Sequence, residues 1–172
     1  SNGLDVEDHV AELAELGVSH VTITVNTVDP RVGAGIYAWV RHNKKVYRGE
    51  EGAALLISRQ LAAIEALKRH GITVKVNTIL VPGVNVHHAP DVAARLGELS
   101  VDILNCLPLY PVAGSEFENV APPSALTVGE VRAEAAKHVP QMHHCTRCRA
   151  DAAGLLGEDT VADVAAQLQE CA

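Results

Sequence analysis

Thr73-Val-Lys-Val-Asn-Thr-Ile-Leu-Val81, closed by Pro82-Gly83, is the stretch on which the fold turns. Val74 and Val76 alternate with Lys75 and Asn77, the period of two that belongs to a strand. Upstream, Glu51 to His70 carries Leu55, Leu56, Ile64 and Leu67 among the apolar positions of a long helix, and Gly71 stops it. Before that helix, His20-Val-Thr-Ile-Thr-Val-Asn26 alternates again, with Val21, Ile23 and Val25 pointing one way and Thr22, Thr24 and Asn26 the other. Downstream, a helix over Ala89 to Leu99 leads into a third strand, Val101-Asp-Ile-Leu-Asn-Cys-Leu-Pro-Leu109. Strand, helix, strand, helix, strand predicts an α/β fold with about three parallel strands joined by right-handed crossovers. Three strands make an incomplete sheet, part of a barrel or of a doubly wound fold. In both, ligands gather at the C-terminal ends of the strands.

The flanking segments are read in the same way. Val6, Val10 and Leu13 predict a first helix that ends at Gly17. Asp29-Pro30 is expected to break the chain after the first strand, with a short helix near Ile36–Val40 and a polar loop over Arg41–Glu50. The stretch from Pro111 to Pro123 is a loop rich in Pro, Gly and Ser; helices are expected at Val128–His138 and near Thr160–Glu170.

Each strand carries polar residues on one face: Thr22, Thr24 and Asn26 on the first, Lys75 and Asn77 on the second, Asn105 on the third. Parallel strands covered on both faces read as nearly continuous apolar runs. A polar stripe on all three strands therefore points to a shared polar cavity, such as a barrel interior. The plainer reading is that these groups satisfy one another within the core.

Composition narrows the function. The chain has 172 residues, 48% of them hydrophobic, enough for one domain with a sizeable core. Its net charge is -7 with no basic cluster, which argues against nucleic acid as partner. No apolar run reaches the roughly 20 residues that span a bilayer, and no signal peptide is visible. Of the four cysteines, Cys145 and Cys148 form a Cys-x-x-Cys pair within His143-His-Cys-Thr-Arg-Cys-Arg149. That spacing serves an iron–sulfur cluster, half a zinc site completed by His143 or His144, or a redox dithiol, and by itself does not choose among them. Arg147 and Arg149 favour the thiolate. Cys106 is expected to be a packed core thiol, Cys171 incidental, and His87 and His88 loop residues.

Several segments together resemble one family, the radical S-adenosylmethionine (SAM) enzymes of nitrogenase cofactor biosynthesis. They are Ser1-Asn-Gly-Leu4, His20-Val-Thr-Ile-Thr-Val-Asn-Thr-Val-Asp-Pro30, Tyr47-Arg-Gly-Glu-Glu51, Val74-Lys-Val-Asn-Thr-Ile-Leu-Val-Pro-Gly-Val-Asn85 and Leu104-Asn-Cys-Leu-Pro-Leu109. The most specific is His144-Cys-Thr-Arg-Cys-Arg-Ala-Asp-Ala-Ala-Gly-Leu-Leu-Gly-Glu-Asp159. The resemblance implies the C-terminal half of a partial (β/α)6 barrel over residues 1–126, followed by a Cys-x-x-Cys-bearing extension over 127–172. It implies SAM and 4Fe-4S clusters as cofactors. The implied activity is fusion of two 4Fe-4S clusters, with a SAM-derived carbide, into the nitrogenase cofactor precursor. Cys145 and Cys148 would ligate one substrate cluster, and Ser1, Thr24, Asn77 and Leu107 would lie where SAM binds. Cluster donors and cofactor carrier or scaffold proteins would be its partners, and the cytoplasm its compartment. The Cys-x-x-x-Cys-x-x-Cys motif of SAM cleavage and the glycine-rich segment for the SAM amino group are not in this chain, which is expected to be inactive alone. Leu104-Asn105 stands where the family often has His-Asn, and Val86 where it has Asp. Two other readings stay open: a zinc-stabilised binding domain, and a relative of the molybdopterin-precursor cyclases, which share the Lys75-Val-Asn77 pattern.

Overall fold

A parallel sheet of β1 (His20–Thr24), β4 (Thr73–Leu80) and β5 (Ile103–Pro108), in the order β1-β4-β5, organises the chain. The computed structural model describes residues 1–142, which form a compact unit. The Cys-x-x-Cys segment and the helix expected near Thr160–Glu170 lie outside the described residues. α3 (Gly49–Arg69) connects β1 to β4, and α4 (Ala89–Glu98) connects β4 to β5. α1 (Val10–Glu15) precedes the sheet, and α5 (Ala125–Ala135) follows it.

One face of the sheet is dry. Ile23, Val74, Val76 and Leu104 are fully buried there against Ile64 and Leu67 of α3 and Val92 and Leu96 of α4. Each such side chain contributes about 1.5–3 kcal/mol by leaving water. Burial along β4 alternates strictly, with every second residue buried and the others half-buried. The half-buried set is Thr73, Lys75, Asn77 and Ile79. The face opposite the helices is therefore partly open, as the polar stripe predicts.

The sheet is longer than its three named strands. The Ser1 amino group donates to Thr22 O at 2.9 Å, and Thr24 N donates to Ser1 O at 3.1 Å, continuing the ladder beyond β1. On the far side, Leu104 N donates to Pro140 O and Met142 N to Leu104 O, so residues 140–142 run parallel beside β5.

Three expectations need correction. The helix near Ile36–Val40 is displaced: α2 occupies Pro30–Ala34. Asp29-Pro30 starts this helix rather than breaking the chain. The Asp29 carboxylate accepts from Arg31 N at 2.8 Å, and Pro30 sits in the first turn, where its missing N–H costs nothing. Hydrogen bonds from Arg31 hold the Asp29 carboxyl at a pKa of about 2. The polar loop over 41–50 is instead an antiparallel hairpin, β2 (Val40–His42) with β3 (Lys45–Tyr47), followed directly by α3. Its turn residues Asn43 and Lys44 both have positive φ, 49° and 64°. That is the type I′ geometry usually signalled by Asn-Gly.

Candidate polar site on the open face of the sheet

The register places Thr24, Asn77 and Asn105 side by side, since Thr24 pairs with Asn77 and Asn77 with Asn105. Partners in a parallel ladder point to the same face, about 4.8 Å apart. The next row toward the strand ends holds Ile79 paired with Leu107. Asn26 continues β1 there, its Oδ1 accepting from Ile79 N at 3.0 Å. Thr24, Asn77 and Leu107 are thus brought onto one face.

Within this row, Asn105 is the group least at rest. It is 1% exposed, and its Nδ2 donates to Asn77 Oδ1 at 3.3 Å. Its Oδ1 has no hydrogen-bond partner among the described residues. Whichever way the amide is turned, one polar atom is left over, at a cost of about 1–3 kcal/mol. A buried group in that state is suited to a ligand that supplies the missing partner.

Most polar groups of the scaffold around this row are paired; Gln60 Oε1 and the Tyr37 hydroxyl, like Asn105 Oδ1, are buried without a hydrogen-bond partner among the described residues. Asn85, completely buried, accepts from Val81 N at 2.7 Å and donates to Asn26 O and Ile79 O at 2.8 Å, tying together the ends of β1 and β4. Thr78 Oγ1 donates to Val25 O at 2.7 Å. Gln60 of α3 reaches over with Nε2 donating to Thr24 O and Asn2 O, both at 2.8 Å. Gly3 has φ +86°, and a Cβ there would meet Gln60 Cγ at 2.8 Å, so only glycine fits this crossing. Burial raises the Tyr37 phenol above its usual range, against the pull of Asn26 and Gln60, so it stays protonated.

Ser1 stands apart from the row. Its main chain lies opposite Ile23, and its Oγ accepts from Gly3 N at 3.2 Å. The open hollow of about 330 Å³ that it helps to line, with Asn2, Asp5, Val6, His9 and Leu13, includes none of Thr24, Asn77 and Leu107. Cys145, Cys148, His143 and His144 lie outside the described residues.

Cys106 is the packed thiol expected of it. Burial pushes its pKa up to about 11, and Arg132 of α5 donates to its carbonyl, not to its sulfur. His88 is better placed than a loop residue: it sits in a 3-10 turn, Val86–His88, and is 8% exposed. Val28 N donates to its Nε2 at 3.3 Å, which puts the ring proton on Nδ1, facing Asp91 at 3.0 Å. It joins the exit of β1 to the start of α4. Sequence reasoning placed Asn105 in the stripe but not among the ligand-binding residues. The signal was available in its alignment with Thr24 and Asn77, but burial and an unpaired oxygen become visible only in three dimensions.

The sequence profile of the Radical SAM superfamily matches residues 1–96. The FeMo cofactor biosynthesis protein NifB of Chlorobaculum tepidum is 49% identical over 172 residues, all of this chain and 41% of that protein. NifB of Rhodobacter capsulatus is 43% identical over 92% of this chain and 36% of its own length. NifB of Methanocaldococcus jannaschii is 39% identical over 92% of this chain and 52% of its own length. The chain thus spans between about a third and a half of the relatives it matches. With the profile covering more than half of its residues, on a parallel α/β sheet with one polar face, the chain belongs to the radical SAM superfamily.

Proposed function

We propose that the chain is the C-terminal part of a radical SAM enzyme of nitrogenase cofactor biosynthesis, with residues 1–126 its share of the barrel and 127–172 its cluster-binding extension. The observation that carries this reading is the similarity to NifB proteins along all 172 residues. The polar row on the face of the sheet opposite the helices supports it. The superfamily implies SAM and a 4Fe-4S cluster as cofactors. The row fits SAM in its chemistry: Asn105 and Asn77 offer amide groups to a polar ligand, Thr24 a hydroxyl, and Leu107 an apolar surface. SAM, when bound, supplies a radical through reductive cleavage; the residues of this chain bind and orient it. Among the described residues no group of three or more His, Cys, Asp or Glu is arranged to hold a metal, and Cys106 faces the helices. Residues 1–142 therefore offer no assembled set of ligands for the cluster that reduces SAM.

Cys145 and Cys148 would bind one of the 4Fe-4S clusters that are the substrates of the fusion, with Arg147 and Arg149 favouring the thiolates. Iron–sulfur cluster donors and carrier or scaffold proteins for the nitrogenase cofactor are the matching partners, in the cytoplasm. No helix of the described residues is long and apolar enough to cross a membrane.

Anaerobic reconstitution of the full-length protein with iron and sulfide, followed by iron counting, tests this assignment. Cys145→Ala/Cys148→Ala is expected to lose about one 4Fe-4S cluster's worth of iron and to keep SAM cleavage. Unchanged iron with loss of bound zinc would replace the cluster reading by a zinc site.

A further inference from the structure

Where the strand of Ser1 leaves β1, a side chain of α3 takes over from the main-chain ladder. Ser1 N donates to Thr22 O at 2.9 Å, and Thr24 N to Ser1 O at 3.1 Å. In a parallel ladder the next rung would run from Gly3 N to Thr24 O. Gly3 instead turns away with φ +86°, and its N–H goes to Ser1 Oγ at 3.2 Å. Gln60 supplies the donor that Thr24 O would otherwise lack. Its Nε2 gives one hydrogen to Thr24 O and the other to Asn2 O, each at 2.8 Å. Two carbonyls cannot donate to an amide oxygen, so the carboxamide has a single orientation, with Oε1 left unpaired. The arm that carries it is rigid. Gln60 is 1% exposed in the middle of α3, with buried Leu56, Ile57, Ala63 and Ile64 one turn away on either side. Its stem lies against Gly3, where a Cβ would come within 2.8 Å of Gln60 Cγ.

We propose that Gln60 is a positioning residue for SAM, an inference that rests on the radical SAM function proposed above. Gln60 does not touch the ligand itself, because it is buried and both of its hydrogens are taken. It acts through Thr24. The Thr24 hydroxyl has no hydrogen-bond partner among the described residues and stands in the row with Asn77 and Asn105. On the β4 side this strand is held by Val25 N, which donates to Asn77 O at 2.9 Å. On the other side the ladder stops at Thr24 N, and Gln60 alone fixes the Thr24 carbonyl. Loss of that bond frees the Thr24 peptide to rotate and carries the hydroxyl out of line with the two amides. A ligand matched to all three groups then finds one displaced. Filling space does not call for an amide here. A methionine would occupy the same volume without an unpaired Oε1, but it would leave the carbonyls of Asn2 and Thr24 bare.

The test measures SAM affinity by equilibrium dialysis on the reconstituted full-length protein, with thermal midpoints of every variant alongside. Gln60→Met removes both donors at similar volume and is expected to weaken SAM binding about tenfold. Thr24→Val removes the hydroxyl and is expected to do the same. Because Gln60 acts through Thr24, Gln60→Met should cost nothing further in the Thr24→Val background, whereas a purely structural loss would add in full. Gln60→Glu gives a second signature. Burial and the two facing carbonyls disfavour a carboxylate there, which raises its pKa above the usual value of about 4.3. Below the raised value the protonated acid can donate to one carbonyl and SAM affinity partly recovers; above it, affinity falls. Wild type and Gln60→Met lack this step. Gln60→Glu is compared with itself across pH, so it decides the matter even where Gln60→Met folds poorly. Ile64→Val, a buried change one turn along α3, should leave SAM affinity unchanged. Additive losses in the double variant, unaltered affinity in Gln60→Met, no pH step in folded Gln60→Glu, or equal weakening by Ile64→Val overturns the inference. Absence of SAM binding in wild type would sink the radical SAM reading and this inference with it, while binding with additive losses sinks the inference alone.

Discussion

Asn105 and Asp102 lie three residues apart and face opposite demands. Asn105 is buried with an oxygen unpaired. Asn105→Leu removes that liability, so stability is expected to change by no more than about 1 kcal/mol in urea unfolding. SAM affinity of the full-length protein, measured by equilibrium dialysis, should fall about tenfold, the worth of one good hydrogen bond. Unaltered affinity would remove Asn105 from the site. Asp102 is satisfied instead. Burial alone would raise its pKa, but Lys68 Nζ at 2.7 Å and Val74 N at 2.7 Å donate to it and bring it below the usual value. A depressed carboxyl adds stability above its unfolded pKa, about 3.9, and loses it as pH falls through the folded value. Asp102→Asn should therefore cost about 1 kcal/mol at pH 7, discounted because the pair is partly exposed. The gap to wild type should close below about pH 4. A gap that persists at pH 2 would mean that the loss is one of packing.

At the scale of elements, what was legible depended on whether the signal was periodic. β1 and β4 could be found by alternation, β5 as a short apolar run after a helix, and α3 by apolar spacing with Gly71 as a stop. The hairpin was hidden because Asn43-Lys44 adopts a turn that the sequence does not advertise with glycine. α2 was hidden because Asp-Pro serves equally as a breaker and as a helix start. The pairing of 140–142 with β5 has no local signature; it depends on α5 returning the chain to the sheet edge. In the candidate site, Thr24, Asn77 and Leu107 share a face because parallel strands keep their register. Ser1 was selected by resemblance alone, and its hydroxyl is taken up by its own turn. Asn85 holds the elements together more than any residue the stripe revealed. Asn85→Ala strips partners from three main-chain groups and is expected to cost about 3 kcal/mol. A loss below about 1 kcal/mol in the same unfolding assay would show that water replaces the amide.

For the whole molecule, the unequal faces of the sheet set the stability. The helix side is sealed, whereas Lys75, Asn77 and Ile79 are only half-buried. The 172-residue chain alone is therefore expected to unfold at a lower urea midpoint than the same segment within the full-length protein, as followed by Trp39 fluorescence. Equal midpoints would show that the open face needs no cover. The crossover topology also dictates a timetable. Thr78 closes onto Val25 across 53 residues of chain. At about 5–20 residues per second of synthesis, β1 waits on the order of 3–10 s before its neighbour exists. During that interval Val21, Ile23 and Val25 form a hydrophobic strand with nothing on its inner edge, the state in which nascent chains most need a chaperone.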